Sequence, residues 1–284
     1  MKPRRPTPDP TSLSDRDLAV LDDVSSFRAL TGEQIRRLHF DHRHDGGSDA
    51  GARRVSQRVL KRLVDLGLLA TLTRRVGGVR AGSAGLTYVL GYHGQRLIRP
   101  ERRARTPDTL GDRYVAHTLA VAEIAVGLRA GSGGHGGERP AIEVEPICWR
   151  AYPDGKRTAT LKPDLFVAIT DGDLEHRWFV EVDMATESLV RVRSKCQGYL
   201  DYHATRIEND LHGVFPKVAW IVPDERRADQ ITSVVHSMRS PAREMFVVTT
   251  AARSPFANAA SHEVDGSPIG EVTNELSSVA GGGS

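Results

Sequence analysis

Pro163-Asp164, then Glu181-Val182-Asp183 closing an apolar stretch, then Lys195 about one helix further on, are the residues of this chain with the types and spacing for chemistry. Glu181 and Asp183 lie two apart, so in a strand both carboxylates leave one face while Val182 turns to the other. Asp164, on the preceding strand, is placed to bring a third carboxylate to the same end. Like charges a few ångströms apart either hold a proton or call for a cation, and Mg²⁺ suits carboxylate oxygen with retained water. Such an ion, held by Asp164, Glu181 and Asp183, would polarise a phosphate oxygen, activate water and offset charge on a leaving oxygen, the usual route to phosphodiester hydrolysis. The plainer alternative is that these acids bind a structural cation, pair with Arg191 or Arg193, or help two chains associate.

A second set is basic. Residues 1–105 hold 21 Lys and Arg against 11 Asp and Glu, and the remainder holds 18 against 25. An excess of ten positive charges at one end and seven negative at the other suggests that the first part meets a polyanion. Val55, Val59 and Leu63 step by four along one side of a helix expected over about 50–66, and its other side is Arg53, Arg54, Gln57, Arg58, Lys61 and Arg62. Arg and Gln read base edges in a major groove, and the remaining cations hold phosphate, so double-stranded DNA is the expected partner. Arg74, Arg75 and Arg80 follow in a turn between two strand-like stretches and would rest on the backbone or minor groove. His39, His42 and His44 with Asp41 and Asp45 are competent zinc ligands by type, but their spacing matches no zinc pattern, and a polar loop is the expectation.

The elements that must position these residues follow from caps and periodicity. Ser14 to Asp17 and Thr31 to Gln34 are helix-start signals, with Leu18, Leu21 and Val24 on the first helix and Ile35 and Leu38 on the second. Gly67 caps the third, and strands at 68–72 and 86–90 complete a hairpin. Arg99, Arg102, Arg103 and Arg105 with two prolines mark a linker over 99–111. Beyond it the patterns predict a helix at 110–128, strands near 142–150, 160–169 and 177–183, a helix at 187–204, a strand at 217–222, a helix at 225–239 and a strand at 245–250. The pro-rich residues 1–13 and the Ser, Ala and Gly-rich residues 253–284 read as a disordered arm and tail.

At 284 residues two domains are expected, at 14–98 and 112–252. Cys148 and Cys196 are the only cysteines and form no CxxC pair, so neither a disulfide framework nor a cysteine zinc site is indicated. No apolar run approaches the roughly 18–20 residues of a membrane span, and no Walker-type loop is present. The expectation is a soluble, cytoplasmic α/β (α+β) protein without a membrane partner or nucleotide cofactor, with a homodimer through the helix at 187–204 or 225–239 as a candidate assembly.

Three resemblances sharpen this reading. Residues 14–98, with the phrase Leu63-Val-Asp-Leu-Gly-Leu-Leu69, resemble the winged helix-turn-helix of bacterial regulators. The α-β-β-β-α-β order with Pro163-Asp164 and Glu181-Val182-Asp183 resembles the PD-(D/E)XK nuclease superfamily over about 112–222. That resemblance implies a restriction-endonuclease-like domain with Asp164 and Glu181 on metal. Its third position is usually a water-activating Lys, and here it is Asp183; Lys195 is the candidate replacement, and Glu123 matches the acid often found on the first helix. The whole series, Lys162-Pro-Asp164, Glu181-Val-Asp183, Thr186-Glu187, Lys195 and Tyr199 behind a winged helix, is similar to the replication-relaxation family of bacterial mobile elements over about 14–220. It implies DNA binding tied to control of the replication, transfer or transcription of a plasmid or integrated element, with a degenerate nuclease-like domain. The alternatives are an active Mg²⁺-dependent endonuclease and a plain dimeric transcription regulator.

Overall fold

Two capping boxes open the N-terminal helices. Ser14 and Thr31 each accept a hydrogen bond from the backbone N–H three residues on, and Asp17 and Gln34 accept from the cap N–H in return. Helices α1 (Asp15–Phe27) and α2 (Gly32–His39) therefore begin where the sequence signals fall. Ser48 caps α3 (Asp49–Asp65). At its other end the N–H groups of Gly67 and Leu68 bond back to the carbonyls of Val64 and Leu63, a closure that needs the left-handed backbone Gly67 adopts at φ 70°.

The structure, a computed structural model, describes residues 12–40, 48–72, 85–104, 111–131, 139–172 and 174–256. The arm at 1–11, the loop with Asp41, His42, His44 and Asp45, the hairpin tip with Arg74, Arg75 and Arg80, and residues 257–284 lie outside the described residues.

Strands β1 (Leu30–Thr31), β2 (Leu69–Thr71) and β3 (Thr87–Leu90) form an antiparallel sheet in the order β1-β3-β2. The N-terminal elements thus run helix, strand, helix, helix, strand, strand. Strand β1 and the short helix α4 (Tyr92–Ile98) were not expected from the sequence; one is two residues long, and the other opens on Gly91 with no side-chain cap.

The second half runs α5 (Asp112–Gly131), β4 (Ala141–Val144), β5 (Arg150–Asp154), β6 (Arg157–Leu161), β7 (Leu165–Asp171), β8 (Leu174–Val182), α6 (Leu189–Ala204), α7 (Ile207–His212), β9 (Lys217–Val222), α8 (Glu225–His236), α9 (Ala242–Met245) and β10 (Phe246–Thr250). Its main sheet has the order β10-β9-β8-β7-β4. β4, β7 and β8 are antiparallel neighbours, and β9 and β10 run parallel to β8 beyond the α6 crossover. With the β5–β6 hairpin and the short helices set aside, this is the expected αβββαβ order, and the fold is mixed α/β. The hairpin corrects two expected strands. The stretch at 142–150 breaks after Val144, and that at 160–169 breaks at Lys162–Asp164. Asp154-Gly155, with Gly155 at φ 59°, turns the chain between them.

Alternation along the strands sorts the core. Leu165, Val167, Val180, Val182, Ala219 and Ile221 share an apolar cluster with Val121, Ala122, Ala125 and Leu128 of α5. The opposite face, with Phe166, Phe179, Val218, Trp220 and Phe246, packs with Tyr199 and Tyr202 of α6 and Ile231 and Val235 of α8. The α5 cluster runs on without a break into Val20, Leu21, Val24, Leu30 and Ile35, so α5 is shared between the N-terminal helices and the sheet. Phe256, beyond the expected domain end at 252, is buried edge-on against Trp178. Among the described residues no helix is long and apolar enough to cross a membrane.

Candidate functional site

Asp164 ends the β6–β7 connection, and its register is locked at both ends of the residue. Its N–H donates to the carbonyl of Val180 at 3.0 Å, and its Oδ2 accepts the N–H of Val182 at 2.7 Å. Glu181 lies beside it on β8, on the face that α6 covers. Lys195 and Tyr199, one turn apart on α6, both reach Glu181: Lys195 Nζ donates to Oε2 at 2.9 Å, and the Tyr199 hydroxyl donates to Oε1 at 2.7 Å. Lys195, the expected replacement for the missing lysine, thus folds back onto the acid rather than pointing to solvent.

The electrostatics follow from burial. Only 2% of the Glu181 side chain is exposed. Burial, and then the charge of Asp164, push its carboxyl up to about 7, with Lys195 and Tyr199 working against the rise. Burial alone would lower Lys195, but the charges of Glu181, Asp164 and Glu187 outweigh it and raise its proton affinity.

Asp183 takes no part in this pair. It leaves the same face as Glu181, but α8 lies over it, and Arg227 grips it through Nε to Oδ2 at 2.6 Å and Nη2 to Oδ1 at 3.1 Å. The Asp183 side chain is fully buried. Arg227 Nη2 also donates to the Glu187 carbonyl at 2.7 Å, and Asp183 Oδ2 accepts the N–H of Ala185, whose φ is 55°. Asp183 and Arg227 therefore fasten the β8–α6 connection.

Glu123 is also elsewhere. It is more than half exposed on the far side of α5, where it accepts from Gln34 Nε2 at 3.0 Å and pairs with Arg37. With Gln34 Nε2 bonded to the Leu119 carbonyl, it joins α2 to α5. The expected three-carboxylate cation site is thus corrected: among the described residues no three His, Cys, Asp or Glu side chains gather as a metal cluster. Two neighbouring acids of one strand are each answered by a cation from a different helix. The residues present do not fit Mg²⁺ held by Asp164, Glu181 and Asp183 together.

His117 is the residue the sequence reading passed over. Its Nε2 lies 3.1 Å from the Val182 carbonyl and 3.3 Å from Asp164 Oδ2. The hydrogen bond with Asp164 raises its proton affinity, against burial. A signal existed: His117 precedes Val121 by four residues and Ala125 by eight, so a titratable side chain interrupts the buried stripe of α5.

On α3, Arg53, Arg54, Gln57, Arg58, Lys61 and Arg62 are all exposed, opposite buried Ser56, Leu60 and Leu63. They divide by partner. Arg62 donates to the buried Asp17 at 2.6 Å and ties α3 to α1. Arg53 leans on Asp49 and Lys61 on Asp65 as surface pairs within the helix. Among the described residues Arg54, Gln57 and Arg58 have no side-chain hydrogen bond or ion pair.

The replication-relaxation family model matches residues 21–218, from within α1 into β9. The chain belongs to the replication-relaxation family. The matched span covers the α3 face, His117, Asp164, Glu181 and Lys195 but stops short of Arg227. A comparison with curated proteins finds no match. Among solved structures the restriction endonuclease FokI is similar at 12% identity and a TM-score of 0.25, over 78% of this chain and 40% of that enzyme. The chain therefore spans well under half the length of FokI, and a likeness of that size carries no argument.

Proposed function

We propose that this family member binds double-stranded DNA through α3 and serves the control of a mobile element's replication, transfer or transcription. The observation that carries the reading is the trio Arg54, Gln57 and Arg58. They lie on one side of α3, exposed, and engage nothing else among the described residues, whereas the buried charges among those residues are paired. Side chains of these types at this spacing can reach base edges and phosphates of a major groove. A homodimer would present two such helices, and sedimentation with and without DNA reads whether it forms.

The test is fluorescence anisotropy of labelled duplex DNA against salt. Arg54→Ala/Arg58→Ala should weaken binding and flatten the salt slope, by about 2 if both side chains meet phosphate; unchanged binding refutes the reading.

Metal-dependent cleavage of DNA is the second reading, and the Lys195–Glu181 contact favours it, because the resembled nuclease pattern sets a water-activating lysine beside a metal-binding acid. Incubation with supercoiled, linear and single-stranded DNA in Mg²⁺ or Mn²⁺, beside Asp164→Ala/Glu181→Ala, separates the two. Cutting by the unaltered chain alone supports an endonuclease, while a metal-independent gel shift without cutting supports a DNA-binding factor.

A further inference from the structure

A corner of guanidinium groups around one exposed ring lies beside the acid site, where α1, α4 and α5 meet. Helix α1 ends on Arg28, whose φ of 70° puts a side chain in the left-handed region where glycine is the usual residue. Its Nη1 donates to the Tyr114 hydroxyl, and its guanidinium carbon lies 6.0 Å from the centre of that ring. Arg99 donates to the carbonyl of Ser25 in the last turn of α1. Burial, and then the charges of Arg102 and Arg28, lower the proton affinity of Arg99, with Glu101 and Asp22 working against the fall, so the three guanidiniums stand close enough to repel. The acids in reach answer them loosely: Glu145 is 3.6 Å from Arg28 and Glu101 is 3.7 Å from Arg102, and both pairs are open to solvent. We propose that Tyr114, Arg28 and Arg102 form a platform for single-stranded DNA, with an unpaired base on the ring and backbone phosphates on the guanidiniums.

The ring decides in favour of an unpaired strand. In a duplex each base is already stacked on its neighbours, so a solvent-facing tyrosine beside cations gains contact with a base only where the strand is open. Tyr114 remains 36% exposed with Arg28 in place. Position supports the same partner. Tyr114 and His117 lie three apart on α5 and so share one side of it, and His117 stands at Asp164. From the sheet side, the register that sets Val144 of β4 against Leu165 of β7 brings Glu145, and with it Arg28, to the Asp164 end. A strand on the platform therefore runs beside Asp164, Glu181 and Lys195. The α3 face is a separate place: Arg62 of α3 holds Asp17 near the start of α1, while Arg28 closes its far end, ~17 Å away at the helical rise. The choice of DNA over RNA rests on the reading of α3; the ring and the cations do not.

The experiment is fluorescence anisotropy of the full chain with a short labelled oligothymidylate, titrated in the presence of saturating unlabelled duplex. Binding that persists under the duplex is expected. Tyr114→Ala should weaken it about five-fold or more, and Tyr114→Phe should largely keep it, because the ring remains. Arg102→Ala should flatten the salt slope by about 0.7, the share of one single-strand phosphate contact. Photocross-linking of an iodouracil-substituted oligonucleotide to the unaltered chain should place the adduct on Tyr114, a readout that survives a variant that folds poorly. No oligothymidylate bound, displacement by the duplex, binding unmoved by Tyr114→Ala, or an adduct mapped away from this corner would each overturn the platform, and tighter binding of the matching oligouridylate would overturn the choice of DNA. Arg54→Ala/Arg58→Ala should leave the oligothymidylate bound, so a failure of duplex binding alone refutes the reading of α3 and a failure of strand binding alone refutes this one.

Discussion

Charge is handled in opposite ways at the two ends of this chain. On α3 the cations are exposed, and Arg54 and Arg58 are left without partners among the described residues. At the end of the main sheet the acids are buried, and each meets a specific partner: Asp183 with Arg227, Glu181 with Lys195, Asp164 with His117. Holding an exposed Arg ready for an outside partner costs the fold almost nothing. A buried carboxylate is tolerable only when something nearby answers it. The comparison separates an exposed basic surface from a buried site whose charges answer one another.

The harshest way to break that contrast is to unpair a buried charge. Arg227→Ala strands Asp183 and should cost about 3–5 kcal/mol, read as a lower urea midpoint. Removing Arg227 without such a loss would mean that Asp183 finds water. A second test uses pH. The folded-state pKa of Glu181 lies above its unfolded value, so the folded state binds the extra proton. Its contribution to stability should therefore fall as pH rises from about 4.5 to about 7 and level off above that. Glu181→Gln should remove that slope from urea unfolding measured across the window.

On the other side, Arg54→Ala and Arg58→Ala should each cost about 1–3 kcal/mol of DNA binding if they read bases, with stability unchanged within about 0.5 kcal/mol. A fall in the melting temperature that tracks the loss of binding would blur the contrast. Arg62 sharpens it from within the same helix. Its partner Asp17 is buried and, despite that burial, held below the usual carboxylate range by Arg62 and Ser14. The contribution of that pair is present above the unfolded pKa of Asp17 and lost as pH falls through its folded value. Arg62→Ala should destabilise by about 1 kcal/mol and flatten that acid dependence, with the exposure of Arg62 keeping the effect small. Lys61→Ala, which breaks only an exposed pair with Asp65, should cost no more than about 0.5 kcal/mol. A larger stability loss at Lys61 than at Arg62 would reverse the ranking.

Local signals carried much of the fold. The Ser14–Asp17 and Thr31–Gln34 boxes, the Gly67 closure and the alternation along β7 and β8 are set by neighbours within a few residues, so helix starts and strand faces were readable. The β5–β6 hairpin is not legible in the sequence although Asp154-Gly155 offers a turn, because the flanking stretches also fit two longer strands. At the site, the approach of Asp164, Glu181 and Lys195 was foreseeable from the αβββαβ order, which lays β7 against β8 and brings α6 back over them.

The sequence by itself determined the basic side of α3, the strand order that gathers Asp164 with Glu181, and the helical spacing that hands Lys195 and Tyr199 to one carboxylate. Those rest on periodicity and chain connectivity. Only the tertiary structure decided that Asp183 belongs to Arg227, that Glu123 joins α2 to α5, and that His117 stands at Asp164. Each of those depends on which face of one helix docks onto a distant element. Packing of whole apolar stripes settles that, and no local spacing encodes it.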